Sequence, residues 1–372
     1  MVVGSLVSGK LAEEYGCHFI LFIVTFWEGT LGIAAALSGS FTQLLVSRTI
    51  VGLAGSPYPL VNACISKSVD ESHVNFMFSI ISSILSISYV IIPFFLVLLE
   101  SQLQATSICA SFLVRRFGFF LATSFSLWAA LLFAIIMRGR RPVICTEPSD
   151  EHDPADSLTE FDSSYFMREI PREKKPIMKV ISELVKKGML QVWLSRLFSS
   201  WCYMSIVSCI WPITESLFIE ETRQYYQGLI YTMGGILPIT AQLLVFNLLN
   251  KFSVDCRVSQ ILSILFLVVG TCLILLALRI HKLIIIPAFA AFWFGAGLLD
   301  LSSAAVVYKV SRESPAISNA VLTSFKFLSQ SISPTVMNSL YPSFPATAII
   351  QAAAAGMISA CFALGTFHRG VD

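Results

Sequence analysis

Stretches of about twenty apolar residues follow one another along this chain, joined by links of only a few residues. They are residues 19–38, 41–65, 76–99 and 117–137, then 191–217, 227–249, 258–278, 283–308, 316–340 and 345–366. A helix needs about 20 residues to cross roughly 30 Å of hydrocarbon, so each stretch has the length of a transmembrane helix. No aqueous fold buries that many such segments; a chain that is 55% hydrophobic and 13% charged lacks the polar residues to cover them. The reading is an all-α polytopic membrane protein with about ten full spans. Residues 1–11 are apolar as well but too short to cross, and they count as a partial span rather than a secretory signal.

One long polar interruption, residues 138–190, divides the series. Its first part is acidic (Glu147, Asp150, Glu151, Asp153, Asp156, Glu160, Asp162) and too poor in apolar residues to fold, which makes it a flexible tether. Its second part is basic. From Pro176 on, Ile177, Val180, Ile181, Leu184 and Val185 recur at helical spacing opposite lysines, the pattern of an amphipathic helix. Such a helix either lies on an anionic membrane surface or serves as a connector. The expected organisation is therefore an N-terminal helical bundle over 1–137, a linker over 138–190 and a six-helix C-terminal bundle over 191–372. With the linker in the cytosol, Lys10, Lys67, the linker cations, Lys251, Arg257, Lys309, Arg312 and Arg369 all fall inside, leaving Arg115, Arg116, Arg223, Arg279 and Lys282 outside.

A net charge of +2 gives no footprint for nucleic acid. The nine cysteines form no C-x-x-C pair, so neither a metal site nor a cofactor is expected. An enzyme would need a His/Asp, Ser/His or metal cluster at a membrane face, and a channel would need polar rings or a filter loop. The pattern contains neither.

The link Gly9-Lys10-Leu11-Ala12-Glu13-Glu14-Tyr15-Gly16-Cys17-His18 resembles the G-x-L-A-D-R-x-G-R-R signature between spans 2 and 3 of the major facilitator superfamily. Gly9, Leu11, Ala12 and Gly16 match, Glu13 replaces the acid, and Glu14, Cys17 and His18 depart from the basic positions. The signature's physical use is a clasp, with glycines allowing close helix approach and the acid facing the dipole of a neighbouring helix end. Arg48, Gly52 and Gly55 match R-x-x-x-G-x-x-G in span 4. Pro93 stands where the drug–proton antiporter branch carries a glycine-rich signature in span 5. Ser314-Pro315 and Ser333-Pro334 resemble the span 11 frame of its fungal type. The sugar-carrier link P-x-Y-x-x-E-x-x-P is replaced after span 4 by Asn62-Ala63-Cys64-Ile65-Ser66-Lys67.

The resemblance implies a major facilitator-type two-bundle fold lacking the first span. It implies a monomeric secondary transporter in the plasma membrane or a vacuolar-type membrane, carrying out proton-coupled efflux of small organic molecules by alternating access. A truncated, non-transporting or receptor-like relative is the alternative. Its partners are the lipid bilayer, a small-molecule substrate and protons.

A charge within a span costs several kcal/mol unless it meets a partner or water, which makes such residues informative. Glu28 and Arg48 lie at similar depths in adjacent spans, ~12–15 Å from one face; Asp300 and Lys326 do the same ~12–15 Å from the other. Each pair reads either as an interhelical lock or as substrate- and proton-coupling residues, with Gln242 and Gln330 as further polar candidates. Arg196 and Glu215 are placed at the two ends of span 7 as interfacial anchors. Trp193, Tyr225 and Tyr226 read as belt residues. Pro212 and Pro238, with Gly234 and Gly235 nearby, are expected to loosen spans 7 and 8.

Overall fold

The computed structural model describes residues 2–69, 73–84, 86–87, 127–128, 176–311 and 314–366. Within them every regular element is helical. A first set comprises α1 (Val2–Tyr15), α2 (Cys17–Ala36), α3 (Phe41–Ala54), α4 (Pro57–Ser68) and the shorter α5 (His73–Ile84). After α6 (Ile177–Lys186) comes a second set. It starts with α7 (Met189–Ser208) and α8 (Ile210–Leu217), then α9 (Glu220–Thr240), a π-helical turn (Ala241–Phe246) and α10 (Asn247–Lys251). The set closes with α11 (Cys256–Arg279), α12 (Ile285–Val310), α13 (Pro315–Leu340) and α14 (Pro345–Gly365).

Six helical stretches among the described residues are long and apolar enough to span a membrane, and the bent pair α7–α8 makes a seventh. α13 is long enough but is not one of them. Its serines, Asn319 and Lys326 make it polar, and it is tolerated because Ser318, Asn319, Ser324, Ser329 and Ser333 turn into the protein. Apolar composition alone therefore understates what an interior helix of a membrane protein can be.

Local chemistry sets the breaks. Span 4 is two helices. Gly55 ends α3 at φ +93°, a conformation that L side chains resist, and Ser56 with Pro57 at the first helical position starts α4. Gly16, at φ +95°, separates α1 from α2. Span 7 bends by 47° at Cys209, between α7 and α8 and just before Pro212. In span 8, Pro238 cannot donate a backbone hydrogen bond, and the chain passes into the π turn three residues later.

α6 exists where the periodicity places it, but protein covers its apolar stripe. Val180 and Leu184 are buried in a cluster with Met189, Val192, Trp193, Val306 and Ile317. Met178, Lys179, Lys186 and Lys187 are left exposed.

Several contacts identify one end of the second set as the linker side, where α7 begins. Asp255 at the start of α11 pairs with Lys309 at the end of α12 at 3.4 Å, and Gly365 at the end of α14 faces Gln191 at the start of α7. On this side the two sets meet, α1 and α4 against α13 and α5 against the α9–α10 region. On the other side of the molecule α3 packs against α1 and α2.

Candidate functional site

Three charges from three helices converge in the second set. Asp300 of α12 receives Arg196 of α7, through Nη2 on Oδ1, and Lys326 of α13, whose Nζ lies 3.0 Å from Oδ1 and 3.2 Å from Oδ2. At 1.5 Å per residue, Arg196 is about 10 Å from the start of α7, Asp300 about 15 Å from the end of α12 and Lys326 about 16 Å from the start of α13. A hydrocarbon layer of roughly 30 Å puts the cluster near mid-membrane.

The cluster is not sealed. Arg196 is 4% exposed, while Asp300 and Lys326 keep 32% and 23% of their side-chain exposure. Across the boundary between the sets, the Tyr58 ring of α4 lies 5.7 Å from the Lys326 ammonium, a cation–π distance. Gln330 follows Lys326 by one turn on the same face of α13 and is half-buried.

Sequence pairing of Asp300 with Lys326 thus matches the geometry, and Arg196 is the member that it missed. Arg196 is no interfacial anchor: it sits two turns inside α7, buried beside Ser195, Ser199 and Ser200. Its distance from the first polar residue of span 7 hid it, although it was one of only three cations that fell within or beside a span. Glu215 does sit at the opposite end of the span, exposed and paired with Arg223 at 3.3 Å. Trp193 is likewise no belt residue; it is 2% exposed and stacks on Phe325.

Glu28 and Arg48 form a separate location on α2 and α3. Glu28 is half-buried, Arg48 is exposed and within electrostatic reach of it, and Arg48 is not among the partners of Asp300. Gln242 is buried in the π turn. It donates from Nε2 to the carbonyl of Gly297, one turn from Asp300, and accepts through Oε1 from Ser86 of the first set. Close packing makes this reach possible, since a Cβ on Gly297 would lie 2.5 Å from Cα of Pro238.

The linker-side junction has two parts. In one, α1 lies against α13: Ala12 packs with Ala316, and a Cβ on Gly9 would come within 2.6 Å of the Ala320 Cβ. Here Glu13 accepts a hydrogen bond from the Ile317 backbone N–H at 3.1 Å, an orphan donor in the first turn of α13. Leu11 is half-buried against the same cluster. Gly52 and Gly55 serve the first set internally, because their backbones touch Gly4. In the other part, three side-chain bonds form a ladder: Asn75 to Asn250 at 3.4 Å, Ser79 to Asn247 at 3.2 Å and Ser86 to Gln242 at 3.2 Å. A cleft of about 610 Å³ opens beside it, lined by Asn75, Asn247, Asn250, Asp255 and Lys309. Pro93 lies outside the described residues.

Two helix sets that enclose a charge cluster at mid-membrane and meet on one side of it have the architecture of a solute carrier. The chain belongs to the Major Facilitator Superfamily, whose family model matches residues 1–334. It is a multi-pass integral membrane protein of a transporter family. No curated protein sequence matches it. Solved structures similar to it include three carriers. The human organic anion transporter MFSD10 (TETRAN) is 16% identical at a TM-score of 0.62, over 99% of this chain and 80% of that one. The proton:xylose symporter XylE bound to 6-bromo-6-deoxy-D-glucose is 13% identical at 0.64, over 98% and 84%. The E. coli fucose:proton symporter FucP is 12% identical at 0.64, over 98% and 87%. At these identities the likeness is one of fold.

Proposed function

We propose that this chain is a secondary active transporter that exports small organic molecules in exchange for protons. The bundles of residues 1–137 and 191–372 rock against each other, with 138–190 as a cytosolic tether in a plasma or vacuolar-type membrane. The observation that carries the reading is the placement of Asp300, Arg196 and Lys326 at mid-membrane, half-open and facing the first set. Asp300 is the proton-binding group. A proton on it would release both cations at once and loosen α7 and α13 from α12, which biases the balance between the two orientations. Export and the drug–proton antiporter branch are supported by the residues around Pro93, Pro315 and Pro334, not by the neighbours, two of which are named as symporters.

The test is reconstitution of the full chain in liposomes with a trapped pH dye and a panel of neutral, cationic and anionic fluorescent organic molecules. Movement of a panel member against an opposing proton flux, lost in Asp300→Asn, is the expected result. Equal gradient-driven movement by both proteins removes Asp300 from the coupling. A folded protein that moves no member of the panel favours the non-transporting relative.

A further inference from the structure

Among the described residues the charges in the central cluster do not balance. Two cations, Arg196 and Lys326, share a single carboxylate, which leaves one net positive charge near the middle of the membrane. Among the described residues, the charged and titratable groups facing Asp300 are Arg196 from α7, Lys326 from α13 and, across the boundary, Tyr58 from α4. Tyr58 supplies only the face of its ring to the ammonium. Among the described residues Arg196 is also incompletely satisfied: Nη2 serves Asp300, while Nη1 is buried with no hydrogen-bond partner. An uncompensated cation in a low-dielectric site is costly, and a mobile anion relieves that cost when it binds.

We propose that the transported molecule is an organic anion whose carboxylate or sulfonate docks on the Lys326 ammonium, with the Arg196 charge behind it and its apolar body against Tyr58. This deepens the reading of the cluster as the central site and depends on it. Lys326 is the group that the ligand reaches, since it keeps 23% exposure and carries three donors of which the Asp300 oxygens engage only part. Asp300 has a second role here. Both of its oxygens hold Nζ in place, so it fixes the position of the docking point. The anion-loaded cluster is neutral and the proton-loaded one carries two positive charges, so an inside-negative potential favours the inward return of the proton-loaded carrier.

The test measures binding, not transport, with three fluorescent probes on one scaffold: 2-naphthoate, 2-naphthamide and naphthylmethyl-trimethylammonium, added to the full chain in detergent. Naphthoate is expected to bind at least tenfold tighter than the other two. Lys326→Gln, which leaves Arg196 and Asp300 as a neutral pair, should abolish that preference, and Lys326→Arg should keep it. Amide or ammonium probes that bind as tightly as naphthoate overturn the proposal, as does a preference that survives Lys326→Gln. The two readings fail separately: liposomes that move neutral or cationic molecules in an Asp300-dependent way sink the anion, whereas an anion preference without any transport sinks the carrier.

Discussion

The contact between α1 and α13 provides the most direct measure of how firmly the linker side is closed. At Gly9 an added methyl would sit 2.6 Å from the Ala320 Cβ and 3.0 Å from the Ala316 carbonyl oxygen, against ordinary carbon contacts of about 3.5–4.0 Å. Gly9→Ala therefore forces the two helices apart by roughly 1 Å, and overpacking on this scale costs about 1–3 kcal/mol. Alanine also raises helix propensity by about 0.5–1 kcal/mol, but that gain is present whether or not the helices touch and cancels from their ratio. The open population should rise about 5- to 150-fold. Hydrogen exchange at Ile317 reads this population, because its amide sits in the first turn of α13 and its hydrogen bond goes to Glu13 across the contact. Faster exchange at Ile317 by that factor is expected. Gly228→Ala is the control, since no atom lies within 4 Å of its Cβ position. An unchanged Ile317 rate in Gly9→Ala, or a change no larger than in the control, refutes the reasoning.

Glu13→Ala removes the acceptor and charge at the start of α13 and should open the same contact by about 0.5–2 kcal/mol, again read as Ile317 exchange; Glu13→Gln should show a smaller effect. Asp300→Ala leaves Arg196 and Lys326 facing each other and should cost about 2–4 kcal/mol in thermal unfolding. That is below the ~3–5 of a fully buried pair, and neutralising both cations should restore most of it. Asp255 caps α11, and although burial raises its pKa, the Arg257 N–H, the Cys256 thiol and Lys309 together hold it below the usual carboxylate value. Its stabilisation is complete above the unfolded value and disappears as pH falls through the folded one. The Tm gap between the native chain and Asp255→Asn should thus be widest near neutrality and close below about pH 4.

The order of the helices was legible because length and hydropathy decide which segments cross, and those quantities are local. Asp300 with Lys326 was legible for the same reason, as equal depths in adjacent spans follow from counting residues. Arg196 was not. Its helix starts at Met189 and is separated in sequence from α12 by two other spans, so only the packing of α7 on α12 and α13 tells that it points inward. The breaks were half legible. Pro238 announced a weakness, but the π turn after it, and the re-aimed Gln242, depend on the approach of Gly297. Glu13 was readable as a partner for a helix end; that the helix is α13 required the fold.

The strength of the linker-side closure bears on whether a ligand can move it. Among the described residues, its side-chain hydrogen bonds are the three rungs of the ladder, the Glu13 bond and the Ser324 hydroxyl on the Val2 carbonyl, and a hydrogen bond that water can replace contributes only about 0.5–1.5 kcal/mol net. These five amount to about 2.5–7.5 kcal/mol. Reversing a two-state population from 1:99 to 99:1 takes about 5.5 kcal/mol of differential binding, so the polar part of the closure lies within reach of one bound ion or solute. Apolar contacts in the same region, Phe78 and Val74 with Phe246 and Leu298, add a term that water cannot replace. That term must be offset by surface buried elsewhere when the contact opens. The hydrogen bonds and close-packed small residues described at this closure are of a size that the ligand energies available at the Asp300 cluster can offset.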